Sequence, residues 1–283
     1  MKEKDFAVFI LTHGRANTMV TYRALLKAGY TGKVYFIIDN EDKTAEDYIN
    51  KYGKSNVIIF DKLKESKTTD SGDNFNNRKA IVFARNACFE IAKNLGVKYF
   101  LQLDDDYTDF RYKFDNKGEY GDWPIKNIDN ILDILLDFYK KIPAKSIAMA
   151  QGGDFIGGGE STSSILKLRR KCMNTFLCST ERPFKYCGTM NEDVTTYTKL
   201  GSNGFLFFTL TNIAINQLAT QSVTGGMTEV YKEGGTYIKS FYSIMYHPSS
   251  ITVKLMGSTH KRLHHSVKWI NTVPLILNEK YKK

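Results

Sequence analysis

The chain of 283 residues is 42% hydrophobic and 25% charged, with 21 Gly and 5 Pro. This composition excludes collagen-like, proline-rich and fully disordered proteins, and the length predicts one large domain or two small ones. The 40 Lys and Arg exceed the 30 Asp and Glu, for a formal net charge of +10, which suits a polyanionic partner such as DNA, RNA or an anionic membrane but equally a merely basic soluble protein.

The N-terminal residues and the cysteines bear on the cellular compartment. Only six apolar residues precede Thr12 and His13, too few for a secretory signal peptide, and no apolar stretch approaches the roughly 20 residues that span a bilayer. The four cysteines form no C-x-x-C pair. We interpret them as free thiols in a reducing compartment, with structural zinc as the minor alternative. We therefore expect a cytoplasmic protein with no membrane partner and no obligate protein partner.

The first 110 residues alternate between predicted strands and helices. In chain order we predict strands at 6–11, 34–38, 57–60 and 99–103 and helices at 18–28, 44–52 and 78–95. The polar segment 62–77 is predicted to be a loop. This alternation predicts a parallel sheet covered by helices, in which ligands bind beyond the carboxyl ends of the strands. No G-x-G-x-x-G pattern follows the first strand, which argues against a dinucleotide-binding domain.

The rest of the chain gives fewer secondary-structure signals, and it contains no internal repeat. We predict helices at 127–142, 194–200 and 212–219 and strands at 147–150 and 205–210. A stretch interrupted by glycines follows, and a basic tail ends the chain.

Three adjacent carboxylates, Asp104, Asp105 and Asp106, follow the fourth predicted strand directly. Their mutual repulsion is most readily relieved by a divalent cation that bridges them to a phosphate, and Mg²⁺ or Mn²⁺ is the expected ion. The alternative is a solvated acidic turn.

Polar residues at other strand ends are expected to converge on the same face. Asp39 could accept hydrogen bonds from a ribose or a base, while His13 and Arg15 could contact a base or phosphates. Arg78 and Arg85 are seven residues apart on one predicted helix, about two turns, so we expect them to share a face and point at one site. The alternative for each residue is a solvated or ion-paired surface position.

Two further groups lie late in the chain. Glu192 and Asp193 form a second acidic site, where a carboxylate could act as general base or simply stabilise a helix N-terminus. Among His260, His264 and His265, one imidazole could complete a metal site or contact a diphosphate, although adjacent histidines are more often surface residues.

Together these motifs resemble those of GT-A glycosyltransferases. The resemblance rests on THGR at 12–15, Asp39, the Arg-Asn helix leading into L-D-D-D, the distal N-E-D and a terminal H-H-x-x-x-W with a Lys-rich end. More narrowly, the chain resembles the TET-associated glycosyltransferases of phages, relatives of the kinetoplastid base J glucosyltransferase. The resemblance covers residues 6–283.

The resemblance implies an α/β fold of GT-A type, with a mixed, mostly parallel sheet flanked by helices and a Rossmann-like N-terminal half. Residues 1–283 would form one domain, divided into a nucleotide-sugar-binding half (1–110), an acceptor half (111–260) and a basic tail closing the site (261–283). The implied reaction moves a sugar from a nucleotide-sugar, expected to be a UDP-sugar, to the hydroxyl of a 5-hydroxymethylpyrimidine, expected to be 5-hydroxymethylcytosine, in phage DNA. The implied cofactor is Mn²⁺ or Mg²⁺, and the implied location is the host cytoplasm.

The resemblance also assigns roles to residues. Asp104 and Asp106 would hold the metal and the donor ribose, with Asp105 close by, and Asp193 beside Glu192 would be the base if the reaction inverts the anomeric centre. His264 or His265 would be a late ligand to the metal or the diphosphate. The remaining donor-binding residues would be Thr12, His13, Gly14, Arg15, Asp39, Arg78 and Arg85.

A DNA acceptor gives the basic composition a role. Three aromatic residues, Phe176, Phe184 and Tyr186, could stack on bases, unless this segment is a solvated basic loop. The cations expected to contact DNA are Lys167, Arg169, Arg170, Lys171, Arg182 and Lys185. Two other functions remain open: a glycosyltransferase acting on a glycan or protein, and a non-catalytic DNA-binding module in which the acidic cluster is structural.

Overall fold

The computed structural model describes residues 3–72, 78–155, 166–167, 175–218, 238–256 and 261–273. Within this part of the chain, a ten-stranded mixed sheet has the order β3-β2-β1-β4-β9-β7-β10-β5-β6, and β8 pairs with β10. Helices cover the sheet, and hydrophobic residues are buried in two large clusters. The predicted α/β fold with a mixed sheet flanked by helices is confirmed.

The N-terminal half is the parallel part of the sheet. Its elements are β1 (Phe6–Leu11), α1 (Thr21–Lys27), β2 (Lys33–Asp39), α2 (Ala45–Tyr52), β3 (Val57–Phe60), α3 (Lys62–Ser66), α4 (Val82–Asn94) and β4 (Tyr99–Asp104). β3, β2, β1 and β4 are parallel neighbours in that order. Every residue of β1 is buried, as expected for a strand covered on both faces.

Two predictions for this half are wrong in detail. The polar segment 62–77 begins with helix α3, because the Asp61 side chain accepts a hydrogen bond from the Lys64 amide and caps the helix. Helix α4 begins at Val82, so Arg78 precedes the helix and does not share a face with Arg85.

The second half adds antiparallel pairs. Its elements are β5 (Tyr107–Phe114), β6 (Tyr120–Pro124), α5 (Ile128–Lys141), β7 (Ala144–Gln151), β8 (Leu166–Lys167), β9 (Phe176–Ser179), α6 (Glu192–Ser202) and β10 (Leu206–Gln217). β9 lies between β4 and β7 and is antiparallel to both. The mostly parallel pairing that we predicted is therefore a property of the first half, since among the described strands of the second half only β7 and β10 pair in parallel. The helix predicted at 212–219 is wrong over residues 212–217, which belong to β10, and residues 213–217 pair with β5; residue 219 lies outside the described residues.

The C-terminal residues form a small unit packed on α6. Residues 238–246 are helical, and β11 (Ile251–Met256) pairs antiparallel with β12 (Arg262–Val267). Trp269 stacks on Tyr197 of α6, with ring centroids 5.4 Å apart and planes 9° apart. A Cβ atom at Gly201 would overlap the Thr272 carbonyl oxygen, so glycine permits this close approach of two backbones.

The structure also bears on the compartment and on the cysteines. Among the described residues, no helix is long and apolar enough to cross a membrane. Cys88, Cys178 and Cys187 are buried free thiols, whereas Cys172 lies outside the described residues.

Candidate active site

The carboxyl ends of β1, β2 and β4 meet at one edge of the sheet. Strand register places Leu11 beside Asp104 on one side and Ile37 on the other, so the loop after β1 lies between the two acidic strand ends. Thr12 Oγ1 donates to Asp105 Oδ2 at 2.7 Å, and His13 Nδ1 lies 2.8 Å from Asp39 Oδ2. Three segments that are distant in sequence thus come together, as their positions at strand ends predicted.

Asp105 holds the loop after β1 in place. The carboxylate is buried, and its Oδ1 accepts a hydrogen bond from the Arg15 guanidinium at 2.8 Å. Tyr48 supports the same loop, because its hydroxyl lies 2.8 Å from Thr12 Oγ1 and accepts from the Arg15 amide at 2.8 Å. Asp105 therefore orients Arg15 at the acidic edge.

Asp39 is buried between His13 and Lys62. Burial by itself would raise the pKa of Asp39, but the His13 hydrogen bond and the Lys62 charge outweigh it, so the pKa is lowered. The same hydrogen bond raises the pKa of His13. Lys62 Nζ lies 3.2 Å from Asp39 Oδ2. Sequence analysis missed Lys62, although its position directly after β3 places it at the same sheet edge.

Asp42 is a second buried carboxylate that sequence analysis missed. Its Oδ2 accepts a hydrogen bond from the Gly14 amide at 2.8 Å. Its Oδ1 accepts from the amide and the hydroxyl of Thr44 at 2.8 and 2.7 Å. Asp42 thereby fixes the Gly14 backbone, which has φ +68. The sequence feature that could have indicated Asp42 as a site residue is its position three residues after Asp39.

Arg85 joins the two acidic sites. Its side chain is only 1% exposed; Nη2 donates to Asp104 Oδ1 at 2.9 Å and Nε donates to Glu192 Oε1 at 3.0 Å. The guanidinium also lies 5.0 Å from the ring centroid of Phe176. The first residues of α6 are therefore held beside the end of β4, although Arg85 and Glu192 are 107 residues apart.

Burial dominates the electrostatics of this bridge. It raises the pKa of Asp104 to about 7 against the opposing Arg85 charge, and it raises the pKa of Glu192 in the same way. Burial alone would lower the pKa of Arg85, but the charges of Asp104 and Glu192 raise it. The guanidinium thus stays charged between the two carboxyl groups.

Asp106 is the carboxylate that best fits a cation. Burial and then the Asp105 charge raise its pKa to about 6, and its buried Oδ1 has no hydrogen-bond partner among the described residues. The same part of the chain contains no group of three or more His, Cys, Asp or Glu side chains placed to hold a metal. Mg²⁺ and Mn²⁺ commonly use one or two carboxylates plus substrate phosphates, so Asp104 and Asp106 fit such a cation.

The N-terminus of α6 contains Asp193 and is tied to the C-terminal unit. Asp193 is buried, and its Oδ1 accepts a hydrogen bond from the next amide, that of Val194, at 2.8 Å. Asn191 precedes the helix with φ 52. Its Nδ2 donates to the Lys239 carbonyl at 2.7 Å and lies 3.5 Å from His265 Nδ1.

The two histidines of β12 contact each other, and His265 also lies beside Asn191, the residue that precedes α6. Their ring centroids are 4.3 Å apart, and His264 Nδ1 lies 2.6 Å from the His265 carbonyl oxygen. His260 lies outside the described residues. A role for either imidazole toward a metal or diphosphate stays a prediction.

Several predicted contact residues have other partners. Arg78 pairs with Glu41 at 2.7 Å, and Lys185 pairs with Glu65 at 3.0 Å. Phe176, Phe184 and Tyr186 were predicted to stack on bases, but they are buried in the core, which makes that prediction wrong. Three of the predicted cations lie outside the described residues: Arg169, Arg170 and Lys171. Lys167 is in β8, but its side chain is not described.

Arg182 holds the end of α5. Its guanidinium donates to the carbonyls of Tyr139, Ile142 and Ala144 at 3.0, 2.6 and 2.8 Å and lies 3.8 Å from the Tyr139 ring centroid. Arg182 thus links the C-terminal end of α5, at Tyr139 and Ile142, to Ala144 at the start of β7. The structure therefore gives Arg182 a structural role in place of the predicted DNA contact.

Substituting Arg182 by alanine is expected to lower the free energy of unfolding by about 3 kcal/mol, because several charge-assisted hydrogen bonds are lost together. Urea denaturation of both proteins measures this difference. Lys185→Ala is the matched control, with an expected change below about 0.5 kcal/mol, since exposed ion pairs contribute little. Equal stability of the two variants, with weaker DNA binding by Arg182→Ala, would contradict the structural role.

Comparison with known families identifies the class of protein. A family model described as TET-Associated Glycosyltransferase matches residues 6–226, and the protein is therefore a glycosyltransferase. Since the match spans more than half of the sequence, the chain belongs to the TET-associated glycosyltransferase family. The alternative of a non-catalytic DNA-binding module is thereby set aside. No curated protein sequence matches the chain significantly.

Solved structures give more distant similarities. S. aureus TarS 1-349 is 11% identical with a TM-score of 0.44, over 76% of this chain and 61% of that one. GalNAc-T7 with UDP, GalNAc and Mn²⁺ is 11% identical with a TM-score of 0.41, over 76% and 44%. Glucosyl-3-phosphoglycerate synthase from Mycobacterium tuberculosis, in complex with Mn²⁺, UDP and phosphoglyceric acid, is 10% identical with a TM-score of 0.43, over 96% and 88%. The chain thus spans less than two thirds of the first two proteins.

Proposed function

We propose that this glycosyltransferase moves a sugar from a UDP-sugar to the hydroxyl of 5-hydroxymethylcytosine in DNA, with Mn²⁺ or Mg²⁺ as cofactor. The observation that carries the proposal is the buried bridge from Asp104 through Arg85 to Glu192. The bridge joins two places in the fold. One is the acidic end of β4, which suits a nucleoside diphosphate with its cation, and the other is the N-terminus of α6, which carries a second carboxylate, Asp193. The DNA acceptor is supported by the family resemblance and by the net charge of +10.

The donor side of the site would be built from residues 1–110. Asp39 orients the His13 ring, which is 42% exposed, so the imidazole is available to a nucleoside while its partner stays buried. Arg15, held by Asp105, places a cation beside the acidic edge for a diphosphate. Residues from 111 onward would supply Glu192 and Asp193 for the acceptor.

Asp104 and Asp106 would hold the cation together with diphosphate oxygens. When bound, the cation would neutralise charge on the departing nucleoside diphosphate, which is the largest catalytic requirement of the reaction. Asp106 supplies the buried oxygen that lacks a partner among the described residues. Asp104 keeps one oxygen on Arg85 and is therefore held in a fixed orientation.

Asp193 is assigned as the general base of an inverting transfer. The acceptor oxygen would attack the anomeric carbon in line, the bond from that carbon to the diphosphate would break, and Asp193 would take the hydroxyl proton. Glu192 is engaged by Arg85 at 3.0 Å, so we assign it to positioning. A retaining reaction would remove this role of Asp193.

Mass spectrometry of modified DNA tests the proposal. The protein, Mn²⁺ and a mixture of UDP-sugars are incubated with DNA containing 5-hydroxymethylcytosine, and the expected result is a mass gain of one hexose, pentose or acetylhexosamine. Release of UDP without a gain in DNA mass would overturn the DNA acceptor and favour a glycan or protein. Absence of both products would overturn the UDP-sugar donor as well.

A further inference from the structure

The C-terminal unit is basic and contains no described carboxylate side chain. Residues 238–256 and 261–273 include no Asp or Glu. Their five cations equal half of the formal net charge of +10 and are Lys239, Lys254, Lys261, Arg262 and Lys268. A positive charge without intervening acids is the electrostatic signature of a surface for a polyanion.

The β11–β12 hairpin separates an apolar face from a polar one. Residues directly opposite in an antiparallel pair lie on the same face. The pair Ile251 and Val267 lies on the face that packs into the core. The pair Lys254 and His264 lies three positions further along the hairpin and therefore on the other face, because side chains alternate between faces. We call this second face the outer face of the hairpin; it carries Thr252, Lys254, His264 and Ser266.

The lysines of the hairpin are available to a ligand. Lys254, Lys261 and Lys268 are exposed, and none of them forms an ion pair within the described part of the chain. Some lysines elsewhere, including Lys62, Lys113 and Lys185, instead pair with carboxylates. A lysine without a carboxylate partner does not have to break an ion pair before it binds a phosphate.

The hairpin is anchored to the residue that precedes the acidic helix terminus. Asn191 contacts both the 238–246 helix and His265 of β12. The stacking of Trp269 on Tyr197 fixes the other end of the unit on α6. The hairpin is therefore held beside the N-terminus of α6.

We propose that the outer face of the β11–β12 hairpin, with Lys268 and Lys261 at its borders, binds DNA backbone phosphates and holds the acceptor duplex beside the N-terminus of α6. This inference rests on the proposed function and names the surface that serves it. It differs from the basic stretch predicted from sequence, of which Arg182 and Lys185 already have protein partners.

Fluorescence anisotropy with a labelled 20-base-pair duplex tests this surface. The double variant Lys254→Gln/Lys268→Gln is compared with Lys54→Gln/Lys117→Gln, which removes the same charge from exposed lysines elsewhere. The hairpin variant is expected to bind about tenfold more weakly at 0.1 M salt, and its slope of log K against log salt should fall by about 1.8, the value for two lost phosphate contacts. The control pair should change affinity less than twofold.

Three outcomes of the binding experiments would overturn the inference. Equal weakening by both pairs would show a general charge effect, and unchanged binding by the hairpin variant would place the DNA elsewhere. Hairpin-dependent binding to vesicles of anionic lipid, without binding to DNA, would assign the surface to membranes.

Thermal stabilisation by UDP and Mn²⁺ should persist in the hairpin variant. If the wild type glycosylates DNA and the variant does so with unchanged KM, only the inference fails; if no DNA is glycosylated, the proposed acceptor fails.

Discussion

Asp104→Asn is expected to lower sugar transfer by about a hundred- to a thousandfold. The substitution removes one of the two carboxylates that fit the cation and also removes the charge facing Arg85 Nη2 at 2.9 Å. Loss of a preorganised charge at the reacting centre typically has effects of this order. Steady-state rates on DNA containing 5-hydroxymethylcytosine measure the loss.

Ligand binding provides a second measurement on the same variant. UDP with Mn²⁺ at about 100 times Kd should stabilise the wild type by about 2.7 kcal/mol, and Asp104→Asn should lose this stabilisation. Asp106→Asn is expected to behave in the same way. Asp109→Asn is the matched control, because Asp109 pairs with the exposed Lys27 and lies outside the site. Full stabilisation of Asp104→Asn by UDP and Mn²⁺ would exclude the proposed cation site.

Arg85→Met is expected to be the most destabilising single change, lowering the free energy of unfolding by about 3–5 kcal/mol. The substitution leaves Asp104 and Glu192 without their shared cation, and breaking a buried ion pair by removing one partner has costs in this range. Urea denaturation measures the change. The loss should far exceed that of Arg78→Met, since Arg78 makes its ion pair near the surface.

Two further variants keep this prediction testable if Arg85→Met does not fold. Arg85→Lys retains the charge but lacks the planar fork that reaches two carboxylates, so it should fold with intermediate stability and reduced transfer. Adding Glu192→Gln to Arg85→Met should recover 1–3 kcal/mol, roughly the coupling expected between contacting residues. Additive effects of the two substitutions would show that Arg85 and Glu192 do not interact in solution.

Local sequence patterns were sufficient for much of the fold. β1 and β3 have the predicted bounds, because each is an apolar run with polar residues on both sides. Residues 212–217, predicted to be helical, are instead part of β10, because pairing with β5, about a hundred residues earlier, decides the conformation. β-propensity and helical spacing within a short segment do not predict pairing with a strand so far away in the sequence.

Part of the candidate site was predictable from the sequence, and part was not. The meeting of Thr12, Asp39 and Asp105 follows from parallel strands that end at one edge, so it was predictable. The bridge from Arg85 to Glu192 depends on how α6 packs, which no local pattern encodes. Arg182 was assigned to DNA because a basic stretch in sequence does not distinguish a solvated cation from one that donates to helix carbonyls.

The place of β9 in the sheet has a consequence for synthesis of the protein. β4 ends at Asp104 and β9 ends at Ser179, 75 residues later, yet β9 fills the position between β4 and β7. At translation rates of about 5–20 residues per second, the ribosome needs roughly 4–15 s to deliver that strand. Throughout this interval the nascent chain has an unpaired apolar edge at β4, a form open to aggregation that the finished sheet no longer presents.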